Sequence, residues 1–454
     1  MAETVLITGA NGFVGSHIVD ALLREGYEVR AAVRATSDLT WLQEKSVVKV
    51  EAPLNDAEAL RKAADGVDYV LHNAGVTSQP HRSLYYLHNT EGTKTLFNAV
   101  VEVAPKLSRF LYVSSQAAGG STLGSRPRIE NDIPAPKTDY GRSKLLAEEW
   151  LLRNRNRLPV TIIRPPSVYG PRDKAFLPLF KMIERGVAPL IGRGSELNLI
   201  HVQDLARQVL MQMTHPKAVG EIFHAAPFPP VTHAQLNEVI AQVLGTKARS
   251  IELPTALLRY GYPLLYPLLE TIGQAPFRSD KLPDVLAPRW IISGEKAKER
   301  LGFEGKIPLH AGMGQTVEWY RWKKWLTTRR DRMKKNGNGE VLQRQTSQGL
   351  KRYDPSCDLC GLVFDEEIKT TKYYEDDQIV IVDCLICQVP MAVLKEHRAT
   401  FTEDEKTRLE KTFFDLFGKE GKPDWEQRRI PEHAHVHYRS HGMHLPWQRR
   451  PDPN

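Results

Sequence analysis

The sequence predicts an α/β protein: a doubly wound parallel sheet with a smaller lobe laid over one edge, followed by a separate small α+β domain. Three observations predict it. Short apolar segments alternate with helical ones through about residue 325. A glycine-rich turn directly follows the first of them. All four cysteines fall between residues 357 and 387, beyond a basic stretch that lacks apolar periodicity.

The first segment, TVLITG (4–9), is β-branched and ends in glycine. GYEVRAAVR (26–34), SVVKVEA (46–52), GVDYVLHNA (66–74), RFLYVSS (109–115) and PVTIIRP (159–165) repeat the pattern. Helical patterns lie between them, as in SHIVDALLREG (16–26), which stops at Gly26. Strands that read as continuous apolar runs belong to parallel sheets covered on both faces. The core is expected over about 1–170 and the second lobe mostly over 171–325, with helices such as THAQLNEVIAQVLG (232–245). In these folds ligands bind at the carboxyl edge of the sheet, where that lobe would sit.

Composition sets outer bounds. The chain has 454 residues, 41% hydrophobic and 26% charged, with a net charge of +8. Much of that charge is local: residues 321–352 hold eleven Lys/Arg against Asp331 and Glu340, which reads as a basic linker over 326–352. Nucleic-acid binding finds no support, because aromatic side chains are not interleaved with the cations. No secretory leader is recognisable at the start, and the most apolar run, 253–273, contains Arg259 and the internal prolines Pro263 and Pro267. A buried or interfacial segment fits it better than a membrane span, and a cytoplasmic location is expected.

VLITGANGFVGSHI places Gly9, Gly12 and Gly15 between strand and helix. The first glycine permits a tight turn, the second lets backbone approach a pyrophosphate, and the third lets helix pack on strand. Free N–H groups of Asn11, Phe13 and Val14 lie at the same mouth, where they can hold an anion. An acidic residue after the second strand would favour NAD. This chain has Arg34 with Ser37 nearby, so NADP is expected, with NAD the other possibility.

TDYGRSKLLAEE sets Tyr140 and Lys144 one helical turn apart. A free phenol has a pKa of about 10, and a neighbouring ammonium lowers the barrier to using it as a base. The glycine trio, YVSSQAAGG and YGRSK occur in that order, along with HNAG (72–75), NTEGTKTLFNAV (89–100), RPPSVYGPRD (164–173), HVQDLA (201–206) and TVEWYRWKKWL (316–326). The set closely resembles the extended short-chain dehydrogenase/reductase family, the NAD(P)-dependent epimerases and dehydratases, over residues 1–325. The resemblance implies a Rossmann core and a substrate lobe. It implies a proton-transferring Tyr140, a Lys144 that supports it and bonds the cofactor ribose, and a Ser115 that bonds the reacting oxygen, with Ser114 as its rival. Asn89 would help order the site. Asn73, Ala74, Gly75 and Pro165 would line the cofactor, and the family often forms homodimers through sheet-flanking helices.

The expected reaction is hydride transfer to or from a hydroxyl or ketone carbon. Sugar-nucleotide members carry an arginine before V-x-D-x-A, whereas this chain has Leu197 and Asn198, with Arg193 earlier. An alcohol or ketone substrate is therefore favoured. A nucleotide-sugar epimerase or dehydratase is the alternative, and an NADP-binding sensor with a C-terminal nucleotide module a third. Pro53 stands where the family has an acidic residue near the adenine.

Cys357, Cys360, Cys384 and Cys387 form C-x2-C-x23-C-x2-C, the spacing of a closed zinc site. Four buried thiols are the other reading. His433, His435 and His437 alternate and would share one face of a strand. With YYEDDQIVIVD and VPMAVLKEHR before them, residues 353–445 resemble a degenerate histidine-triad (HIT-like) domain. That resemblance implies attack on phosphate by His435. Metal binding with His397, His441 or His444, or a solvated polar face, are alternatives.

Overall fold

The computed structural model describes residues 2–122, 124–192, 194–271 and 279–326, then 342–346, 349–353, 372–375, 378–383, 390–394, 400–417, 421–424 and 435–440. The chain divides into two units, Met1–Thr316 and Val317–Asn454.

The first unit is built on strands β1 (Thr4–Thr8), β2 (Glu28–Val33), β3 (Val47–Glu51), β4 (Tyr69–His72), β5 (Arg109–Val113) and β6 (Val160–Arg164). Outside this set, β7 (Ser167–Tyr169), β8 (Val187–Ile191), β9 (Glu196–Leu197) and β10 (Leu199–His201) lie in smaller pairings, and β11 (Ile222–His224) returns to the main sheet. The seven-stranded order is β11-β6-β5-β4-β1-β2-β3, every pairing parallel. Helices α1 (Phe13–Arg24), α2 (Ala57–Ala64), α3 (Arg82–Tyr85), α4 (Gly92–Val103), α5 (Gln116–Gly119), α6 (Asp139–Arg153), α7 (Leu177–Glu184) and α8 (Val202–Thr214) occur between the strands.

Alternation explains why the sheet is covered twice. Val5 and Ile7 of β1 face one core with Ile18, Leu22, Leu205 and Val209 of α1 and α8. Leu6 faces the other, with Leu60, Leu96, Phe97, Ala147 and Leu151 of α2, α4 and α6. Strand order reverses between β1 and β4, so a crevice opens at their carboxyl ends. The helix read from 16 to 26 starts three residues earlier, at Phe13, because Gly12 is already its extended N-cap.

In the second lobe, Glu196–Leu197 pairs with Val231–Thr232 and Arg289–Trp290. The helix His233–Leu244 carries a capping box from Thr232 to Gln235 and ends on left-handed Gly245. The apolar run from 253 is helical, with Tyr262 and Tyr266 packed on Leu282. Its other face is open rather than a pocket wall: Leu264 is 82% and Tyr260 71% exposed. Among the described residues no helix is long and apolar enough to cross a membrane.

Within the stretch read as a linker, Leu342–Thr346 and Gly349–Tyr353 pair as an antiparallel ribbon. Farther on, five strands form an antiparallel sheet, in the order 372–375, 379–383, 390–394, 435–440, 421–424. The helix Glu403–Phe417 supplies Leu409 and Phe413 to a core with Ile379, Ile381 and Ala392. Thr402 and Glu405 cap its start reciprocally. The arrangement is α+β. Cys357, Cys360, Cys384, Cys387, His397, His433, His441 and His444 lie outside the described residues, so the zinc site has no geometry here. His435 and His437 lie two apart on the strand His435–Ser440, which puts them on one face. Among the described residues no group of three His, Cys, Asp or Glu could hold a metal ion.

Candidate active site

The turn after β1 is compact for reasons visible in its backbone. Gly9 has φ +67°, and a Cβ there would lie 2.8 Å from the Ala74 backbone. A Cβ on Gly15 would lie 2.0 Å from the Gly9 carbonyl oxygen. Gly12 differs: a Cβ there would meet only the Gly9 oxygen, at an ordinary 3.4 Å. Protein packing does not demand glycine at that position, and the missing side chain leaves room for a phosphate to approach the backbone. Helix α1 starts there with no side-chain cap and no acid in its first turn, which leaves its N–H groups directed at the turn. The residues therefore fit a dinucleotide diphosphate.

Beside this turn, the Arg34 N–H donates to Ser37 Oγ at 3.0 Å, shaping the loop after β2. Arg34 itself is exposed. Asn11 Nδ2 donates to the Asp38 carbonyl at 3.1 Å, tying the two loops together. Asn73 Nδ2 donates to the Gly9 carbonyl at 3.2 Å, and the Ala74 N–H donates to Thr8 Oγ1 at 3.1 Å. Asn73 thus spends its amide on the turn's shape. His72 links Thr8 and Thr93 beneath it, and burial holds its pKa at about 3, so it is neutral.

The second cluster forms where β5 ends and α6 begins. Thr138 caps α6 by accepting from the Gly141 N–H at 3.2 Å. Tyr140 follows in the first turn, with the Ser115 hydroxyl beside its phenol. Ser115 is itself the N-cap of α5, accepting from the Ala117 N–H at 3.1 Å. Ser114 is buried and, among the described residues, its hydroxyl has no hydrogen-bond partner. Burial raises the Tyr140 pKa, the neighbouring Ser115 hydroxyl lowers it, and the charge of Asp284 raises it. Lys144 is buried, donates to the Val113 carbonyl at 3.0 Å, and stands 4.7 Å over the Tyr112 ring. Burial lowers its pKa to about 8, with Glu148 opposing the shift.

Asn89 joins the two clusters. It sits in a π-helical turn, Tyr86–Glu91, between α3 and α4. Its Oδ1 accepts from the Val76 N–H at 2.8 Å, and its Nδ2 donates to the Val76 carbonyl and to Ser143 Oγ, both at 3.0 Å. Gly75 is held in the gap, since a Cβ there would lie 3.0 Å from Lys144 Nζ. Pro165 follows β6, and its carbonyl accepts from the Gln116 N–H at 2.8 Å.

With this geometry goes a sequence match: residues 5–226 match the NAD dependent epimerase/dehydratase family. A ceramide reductase of Caulobacter vibrioides is 29% identical over 327 residues, covering 71% of this chain and 96% of that protein. The UDP-glucose 4-epimerase of Vibrio cholerae is 28% identical over 330 residues, covering 70% and 95%. Among solved structures, DesIV, a dTDP-glucose 4,6-dehydratase from Streptomyces venezuelae with NAD and TYD bound, is 24% identical and covers 71% of this chain and 99% of that one, with a TM-score of 0.58.

Sequence reasoning missed the groups that the fold brings to Tyr140 from elsewhere. The Tyr85 ring lies 6.2 Å from the Tyr140 ring, and Lys281 Nζ lies 6.0 Å from its centroid. Asp284 accepts from Thr138 Oγ1 at 3.0 Å. Only Thr138 carried a local signal, as a helix-capping residue before DYGRSK. Asn198, in the stretch where an arginine was expected of sugar-nucleotide members, donates to the Phe228 carbonyl and accepts from the Ile292 N–H. Arg193 lies outside the described residues.

Proposed function

We propose that residues 1–325 form an NAD(P)-dependent oxidoreductase that moves a hydride to or from a hydroxyl or ketone carbon of a small organic substrate. The observation that carries this reading is the Ser115 hydroxyl close enough to the Tyr140 phenol to lower its pKa, with buried Lys144 one turn further along the same helix. A plain structural tyrosine would need neither partner.

Gly9, Gly12, Gly15 and the start of α1 would hold the cofactor diphosphate, with Arg34 and Ser37 at the ribose 2′-phosphate of NADP. The nicotinamide, when bound, supplies or accepts the hydride. Tyr140 gives its phenolic proton to the substrate oxygen in reduction and takes it back in oxidation. Ser115 bonds the same oxygen and fixes its position. The Lys144 ammonium stabilises the phenolate that Tyr140 leaves behind.

The relatives include both a ceramide reductase and a UDP-glucose epimerase. Charges near the site favour the reductase reading. Lys281, which stands over the Tyr140 ring, is flanked by Asp280 and Asp284. A diphosphate would meet carboxylates there. For the C-terminal unit, the cysteine spacing supports a structural zinc ion and the alternating histidines a HIT-like site. Zinc content of the purified chain tests the first.

The test of the main reading is NADPH oxidation with a panel of ketones. Tyr140→Phe should lose about 10²–10⁴-fold in kcat while cofactor affinity is kept. Unchanged turnover in that variant refutes the assignment. Redox-neutral conversion of a UDP-sugar would favour the epimerase instead.

A further inference from the structure

The segment Ser279–Leu286 of the substrate lobe is fastened around Tyr140 at two points. Tyr85, whose ring lies against Tyr140, donates its hydroxyl to Asp280 Oδ2 at 2.7 Å. Thr138, the cap of the helix that carries Tyr140, donates to Asp284 Oδ2 at 3.0 Å. The Asp284 backbone carbonyl accepts from Trp290 Nε1 at 2.6 Å, so the turn is held from behind as well. Lys281 stands over the Tyr140 ring between these points.

One atom in this arrangement is unexplained. Asp284 Oδ1 is buried and, among the described residues, has no hydrogen-bond partner. The fastening to Thr138 uses only Oδ2, and an asparagine or serine could make that bond without burying a charge. A buried carboxylate oxygen without a donor is costly, and native proteins seldom leave one so. The groups that face it are Thr138, Lys281 and Lys137, which hold its pKa down, and Asp280, which pushes it up. Burial is the largest influence, and the outcome is a pKa of about 6. Asp284 is therefore mostly ionised at neutral pH. Its charge is felt by the Tyr140 phenol.

We propose that Asp284 determines substrate specificity: its free oxygen accepts a hydrogen bond from a hydroxyl or N–H that the substrate carries close to the carbon reacting at Tyr140. The inference rests on the oxidoreductase reading and narrows it. The substrate class is a hydroxy ketone, an amido ketone or the corresponding alcohol, rather than a plain ketone. A site built around a hydrogen-bond acceptor rejects the analogue that lacks the donor, because the acceptor is then left unpaired.

The experiment pairs two ketones matched in size, one with a hydroxyl or amide N–H beside the carbonyl and one with a methyl in its place. Both are reduced with NADPH by the full chain, by Asp284→Ala and by Thr138→Val. The wild-type chain should favour the donor-bearing ketone by about tenfold or more in kcat/KM. Asp284→Ala should bring the ratio close to one through the donor-bearing substrate alone, with NADPH affinity unchanged. Thr138→Val, which breaks the fastening but keeps the carboxylate, should retain the preference. An unchanged ratio in Asp284→Ala overturns the role of Asp284 and leaves the oxidoreductase reading standing. No reduction of either ketone by the wild-type chain overturns both.

Discussion

A Cβ on Gly15 would sit 2.0 Å from the carbonyl oxygen of Gly9. Helix α1 can approach the end of β1 only because that atom is missing, and the approach sets the direction of the helix's free N–H groups. Gly15→Ala must push helix and turn apart. Cofactor affinity, read by NADPH fluorescence titration, should fall at least about tenfold, and the variant should melt earlier. Gly12→Ala makes the complementary case. It fits the protein, so it should melt normally and still lose affinity.

Lys144 is buried beside Tyr112 with its pKa lowered from 10.5 to about 8. Below about pH 8 the folded and unfolded chains both hold this proton, and the cost of burying the charge is fully present. Between about 8 and 10.5 the unfolded chain binds more protons, so this group's contribution to stability rises with pH. Lys144→Met removes the charge and keeps the volume. It should stabilise the protein at pH 7 by on the order of 1–3 kcal/mol, and the gain should shrink by about pH 9.5. Urea melts at the two pH values check the sign. The same variant should lose most of its ketone turnover.

Arg34 is exposed at the end of β2, at the side of the glycine turn. If its guanidinium grips a 2′-phosphate, Arg34→Ala should lower kcat/KM for NADPH by about tenfold and leave NADH nearly unaffected. A wild-type preference for NADH would sink this expectation before any variant is made.

Glu148, one turn beyond Lys144, receives Arg164 through contacts of 3.0, 3.2 and 2.5 Å, with both side chains almost wholly buried. The pair locks α6 to β6. Glu148→Gln strands the guanidinium and should cost about 3–5 kcal/mol, measured by denaturant unfolding. It should also lower the Lys144 pKa further, because Glu148 is the charge that opposes that shift.

How much of this was readable beforehand follows from what each feature depends on. Strand β1 was legible because TVLIT is apolar on both faces and ends at a glycine. The Gly9–Gly15 turn and the Tyr140–Lys144 spacing are local patterns, so they could be quoted from the sequence. The use of Asn73 was not legible: it was expected to line the cofactor, and its amide donates to the Gly9 carbonyl. Asn89 was expected to help order the site, but its partners Val76 and Ser143 were not readable from the sequence. The open face of the helix around Leu264 also escaped, since an apolar run does not say which side another element covers.

Taken alone, the sequence determined the parallel sheet, the glycine turn and the helix that carries Tyr140 and Lys144. Each depends on alternation or spacing within a few residues of chain. Tertiary structure alone decided what surrounds Tyr140. Asp284 meets Thr138 at a sequence separation of 146, and no short-range pattern records a contact between segments so far apart in the chain.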